Sequence, residues 1–119
     1  MSKLIEWVEI PSLDFKRAVN FYDQVFKLSL EALDFGTEKM ACFPGGEGAI
    51  FYKEGYKPSD NGVIVNLNVA DNIEQTSIRI EENGGKIIVP KTKIEAEGRG
   101  YFALCTDSEG NRIGLYEKL

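Results

Sequence analysis

Hydrophobic and polar positions along this chain change period in a fixed order, and the order occurs twice. Residues 4–10 alternate; after Pro11 and the capping candidate Asp14, apolar residues recur at helical spacing, at Phe15, Ala18, Val19, Tyr22, Val25 and Phe26. Alternating runs follow near 28–35, 38–43 and 49–53, the last two turned by Gly45-Gly46-Glu47-Gly48. The pattern then returns as a strand over 63–70, a helix over 71–83 closed by Gly84-Gly85, and strands near 86–94, 100–106 and 112–117. Asp14 and Asp71 are 57 residues apart, and the same shift carries Trp7 to Ile64 and Glu9 to Asn66.

Two copies of one supersecondary unit predict an α+β fold: two tandem βαβββ modules forming a concave mixed β-sheet with helices on the outer face. Module one covers about 1–53, the turn-rich stretch 54–62 is a linker, and module two covers 63–119, all within a single domain of 119 residues. Within 63–69 the odd positions Val63, Val65, Leu67 and Val69 are apolar and should pack on the helix, which turns Ile64, Asn66 and Asn68 to the opposite, open face. By the 57-residue shift, Val8 and Ile10 lie beneath the first helix while Trp7 and Glu9 face the open side. The stretch 93–100 mixes charges with glycines and reads as a mobile loop that could lie over the mouth of a cavity.

The first strand, Pro11, Asp14, the helix bearing Phe21-Tyr22 and the late hairpin Asp107-Ser-Glu-Gly-Asn111 resemble, over essentially the whole chain, the vicinal oxygen chelate superfamily of glyoxalases, bleomycin-resistance proteins and extradiol dioxygenases. The resemblance implies that two modules pair their open faces into a cavity and that the protein is a homodimer. Metal-dependent members place four ligands, His, Gln or Glu, on the first and fourth strands of the modules. The matching positions here are Trp7, Ile64, Gly114 and, to within about one residue, Phe51, none of which can bind a metal. The chain has no histidine at all, so three-His and two-His-one-carboxylate centres are excluded and no metal or other cofactor is expected.

The open faces then offer Trp7, Glu9, Phe51, Asn66, Asn68, Arg112 and Tyr116, an aromatic wall with a few polar groups, which is the usual makeup of a pocket for a small organic molecule. Glu9 admits two roles. Desolvated beside Trp7, its pKa would rise and it could serve as the general base of a lyase or isomerase; paired with Arg112, it would stay ionised and orient a ligand. Metal-independent binding of a small molecule is the expected function, the lyase or isomerase is the alternative, and enzyme status stays open. Phe21 and Tyr22 read as core, Tyr101 and Phe102 as neighbours on opposite faces, and Glu117 as turned to the helix side. Cys42 and Cys105, too few for a disulfide framework, read as small buried hydrophobes.

Charge narrows the partners. With 14 basic and 19 acidic residues the net charge is -5, which argues against nucleic acid and anionic membrane surfaces. No targeting stretch is visible and no apolar run approaches the roughly 20 residues of a membrane span, so a cytoplasmic protein is expected.

Overall fold

The computed structural model describes residues 3–119; Met1 and Ser2, where module one begins in the sequence reading, lie outside the described residues. Module one comprises β1 (Val8–Pro11), α1 (Phe15–Phe26), β2 (Ala32–Asp34), β3 (Glu38–Cys42) and β4 (Gly48–Lys53). Module two comprises β5 (Asn66–Asn68), α2 (Ile73–Glu82), β6 (Lys86–Lys93), β7 (Tyr101–Thr106) and β8 (Arg112–Glu117). The tandem βαβββ architecture is therefore present, as two four-stranded mixed sheets ordered β1-β4-β3-β2 and β5-β8-β7-β6. In each, the first strand runs parallel to the last and the remaining pairings are antiparallel.

The entry strands are shorter than alternation predicts. Both β1 and β5 are edge strands with one neighbour each, and β5 pairs only with Gly114–Tyr116 because the Arg112 N–H at the start of β8 goes to the Ser59 carbonyl of the connection instead. Val63, expected beneath the helix, is 90% exposed, and the irregular connection between the modules runs on through residue 65 instead of stopping at 62. Pro90, which has no N–H to give to the ladder, lies where the pairing of β6 with β7 slips.

Each helix starts on a side-chain cap. Asp14 accepts the Arg17 N–H at 3.1 Å, as the sequence predicts. In module two the cap comes one residue later than the 57-residue shift puts it: Asn72 accepts the Gln75 N–H at 2.8 Å. Asp71 instead takes both arms of Arg79, each at 3.0 Å, and this guanidinium holds its carboxyl well below the usual range, helped by the Asn72 N–H and Lys27. Arg79 Nε also donates to the Val25 carbonyl at 3.0 Å, tying the end of α1 to α2.

One hydrophobic core serves both modules. Phe21, Tyr22, Val25 and Ile50 from module one join Ile73, Ile80, Cys105 and Leu115 from module two. Full burial of each large side chain stabilises by about 2–3 kcal/mol, so neither module keeps its core if the other leaves.

Candidate functional site

On module two, strand register brings a set of side chains to one face. Asn66 lies opposite Gly114 and Asn68 opposite Tyr116 on β8, while Phe102 and Leu104 of β7 lie opposite Tyr116 and Gly114. Asn66, Asn68, Phe102, Leu104, Tyr116 and Ile64 line a cavity of about 620 Å3, whose remaining wall is Ile94, Ala96 and Arg99 of the connection between β6 and β7. The connection is held in place by hydrogen bonds: Ile94 N–H donates to the Gly100 carbonyl at 3.0 Å, and Gly100 N–H donates to the Tyr116 hydroxyl at 3.3 Å. The segment read from sequence as a cover thus contributes side chains to the cavity. Phe102 faces this space; Tyr101 packs against the core with Lys91 over its ring at 4.5 Å.

Gly114 has a specific effect here. A Cβ at this position would lie 2.0 Å from the Asn66 Oδ1, so the missing side chain lets the Asn66 amide lie across β8 on the cavity face.

Module one presents a different surface. Phe51 shares the face of Glu9, because Glu9 stands opposite Ala49 and Pro11 opposite Phe51. It is buried there by Tyr56 of the linker, whose ring meets it edge-on at 5.4 Å, so Phe51 is a covered residue instead of part of an open wall. Next to it Met40 and Leu33 continue the apolar face. Cys42, expected to be buried, is exposed because it sits on this open side opposite Ala49. Cys105 is buried in the core, where burial first and Asp107 second push its thiol up to about 12, which keeps it from acting as a nucleophile.

Trp7 and Glu9 are both exposed, and the indole N–H donates to Glu9 Oε2 at 3.2 Å. The desolvation that a general base at Glu9 would need is therefore missing. Nor does Glu9 pair with Arg112: both line a cavity of about 190 Å3 at the seam between β1 and β8, yet none of the ion pairs among the described residues joins them. Of the seven residues singled out from sequence, the structure brings Asn66, Asn68 and Tyr116 into one cavity and Glu9 and Arg112 into another, with Trp7 and Phe51 on the face of module one.

The hairpin Asp107–Asn111 is a clamp between modules. Asp107 accepts the buried Tyr22 hydroxyl at 2.6 Å, together with the backbone N–H groups of Glu109 and Asn111. Burial and the neighbouring Asp107 carboxylate raise the Tyr22 phenol well above its usual value, so it stays a donor. Asn111 donates to the Pro11 carbonyl at 2.8 Å and accepts the Ser59 N–H at 3.1 Å. Glu109 accepts the N–H groups of Leu13 and Asp14 and a two-pronged contact from Arg17 at 2.7 and 3.1 Å. Burial alone would raise its carboxyl, but Arg17, the Asp14 N–H, Ser108 and the Leu13 N–H outweigh it and hold the group down at about 2. Sequence reasoning missed Glu109, since a glutamate in a Gly-Asn turn looks solvated and its partners are about 95 residues away.

The donor set for a metal is a poor one. The resemblance puts Trp7, Ile64, Gly114 and, to within about one residue, Phe51 at the ligand positions of metal-dependent members, and none of these four residues has a side chain suited to coordination. Among the described residues no group of three or more His, Cys, Asp or Glu side chains is gathered to hold an ion. Nor is any helix among them long and apolar enough to cross a membrane.

The fold has many counterparts. A glyoxalase/bleomycin resistance protein/dioxygenase family enzyme from Burkholderia phytofirmans PsJN superposes with a TM-score of 0.71 at 17% identity, covering 96% of this chain and 98% of that one. Glyoxalase I from Zea mays matches with a TM-score of 0.70 at 17% identity over 94% of this chain and 45% of its own. TnmS3, an antibiotic binding protein from Streptomyces sp. CB03234, matches with a TM-score of 0.66 at 17% identity over 99% and 98% of the two chains. No curated protein matches the sequence. The sequence profile of the Glyoxalase/Bleomycin resistance protein/Dioxygenase superfamily matches residues 4–115, and the chain belongs to that superfamily.

Proposed function

We propose that the protein binds a small organic molecule without a metal, in the cavity of module two. The observation that carries this reading is the makeup of that cavity: Ile64, Phe102, Leu104 and Ile94 supply apolar area, Asn66 and Asn68 supply amides, and a glycine stands where a metal ligand would be. The antibiotic-binding relative supports it at the level of fold. The apolar open face of module one, with Trp7, Met40 and Leu33, fits a homodimer in which a second copy brings this face to the cavity. The alternative, a lyase with Glu9 as base, is less favoured because Glu9 is exposed and held by the Trp7 indole.

A ligand screen by thermal shift, run with and without nickel, zinc, manganese and iron, tests the proposal. We expect stabilising organic ligands whose effect ignores metals and falls at least tenfold in affinity in Asn68→Ala. Stoichiometric metal in the purified protein, or binding that requires added metal, would overturn it. Trp7 is the one tryptophan of the chain, so its fluorescence reports directly whether the face of module one joins the site.

A further inference from the structure

The seam cavity at the start of β8 is separate from the module-two cavity. We propose that it is a binding site for a small oxyanion group, a carboxylate or a phosphate, held by Arg112 and Lys57. Among the described residues, Arg112 Nε is the one buried side-chain nitrogen or oxygen without a hydrogen-bond partner. Nε itself is closed off from the cavity, but no hydrogen bond or ion pair among the described residues engages the terminal nitrogens of Arg112 either, so the guanidinium lines the cavity with its donors free.

The other polar groups around it are already engaged. Asn111 spends its amide on Pro11, Asp107 and Ser59; the Ser59 hydroxyl accepts the Asn61 N–H; the Arg112 backbone N–H goes to the Ser59 carbonyl at 3.1 Å. Glu9 also lines the cavity, but its carboxylate takes the Trp7 indole and makes no ion pair with Arg112 or Lys57. Two cations against one carboxylate give the seam a positive balance in a chain whose net charge is -5. A cavity of about 190 Å3 has room for a carboxylate or phosphate with a few waters, each of which takes about 30 Å3. A guanidinium offers planar, paired donors suited to either group, and an ammonium adds a point charge.

The test uses the 15N-labelled full chain and follows the arginine Nε–H signals of Arg17, Arg79, Arg99 and Arg112 by NMR. The Arg112 signal is assigned by its disappearance in Arg112→Lys. Inorganic phosphate and benzoate are titrated separately against a sodium chloride control. We expect a saturable shift of the Arg112 signal that leaves the other three in place, with affinity at least fivefold weaker in Lys57→Gln. A response to phosphate alone assigns the site to a free inorganic anion, and a response to benzoate assigns it to the carboxylate of an organic ligand. No saturable shift with either, equal movement of all four signals, or unchanged affinity in Lys57→Gln would overturn the proposal. If Arg112→Lys does not fold, the signal is assigned by side-chain-to-backbone correlation within Arg112 of the wild type, and Lys57→Gln, on the irregular linker, keeps the test decisive.

Discussion

Glu109 and Glu117 stand in corresponding places, each offering a carboxylate from the last hairpin or strand to the start of a helix, yet they join different things. Glu117 takes the Ile73 N–H at 2.7 Å and Lys91 at 3.1 Å, all inside module two. Glu109 reaches from module two to the start of α1 in module one, and its side chain is fully buried against a half-exposed Arg17. One carboxylate finishes a helix; the other holds two halves of a protein together. Glu109→Gln leaves the Leu13 and Asp14 N–H groups and Arg17 without their anion, and we expect a loss of about 3–5 kcal/mol in urea unfolding. Glu117→Gln should cost about 1 kcal/mol, the scale of a lost helix cap. Equal losses in the two variants would break the comparison.

Acid sharpens it further. The ordinary value for a glutamate is 4.5 and Glu109 is held at about 2 in the folded chain, a difference of about 3 kcal/mol. A depressed carboxyl contributes its stability in full above the unfolded value, so the term is present above about pH 5 and is lost as pH falls towards 2. Asp71, also depressed, loses stability over acid conditions in every variant that keeps it. The expected outcome is therefore a difference between curves: stability measured from pH 7 to pH 3 falls more steeply in the wild type than in Glu109→Gln. Parallel curves would mean that the clamp carries no proton-linked energy.

Tyr22→Phe probes the same clamp from the helix side. It removes the 2.6 Å bond to Asp107 but leaves that carboxylate the N–H groups of Glu109 and Asn111 and the Asn111 amide. The cost should be about 1–2 kcal/mol, less than Glu109→Gln because Asp107 keeps most of its donors. A larger loss than in Glu109→Gln, read from urea midpoints, would move the weight of the inter-module contact from Arg17–Glu109 to Tyr22–Asp107.

The same contrast explains what could be read before the structure. Periodicity revealed the repeat, both helices and the open-face position of Asn66, Asn68 and Tyr116, because each depends on neighbours within a few residues. It missed the burial of Phe51, which rests on Tyr56 folding back from a linker, and the exposure of Cys42, which rests on what fails to cover β3. The hairpin at Asp107 was legible as a turn, but its job was not. Its partners, Pro11, Leu13, Asp14 and Tyr22, are separated from it by most of the chain, and no local pattern carries that information.

The smallest effect expected separates stability from the site. A Cβ at Gly100 would lie 1.9 Å from the Glu117 carbonyl, a backbone atom that cannot give way, whereas a Cβ at Gly114 meets the end of the Asn66 side chain at 2.0 Å. Gly114→Ala can be accommodated by one rotamer change, so its cost should stay below about 1 kcal/mol, the scale of an off-rotamer side chain. The displaced amide would nonetheless leave its place across β8, and a ligand that uses Asn66 should bind several-fold more weakly. Unfolding midpoints and ligand titration on this one variant give the two readouts. A large loss of stability would mean that the Asn66 amide serves the fold; weakened binding at nearly unchanged stability would mean that the missing side chain at Gly114 serves the cavity.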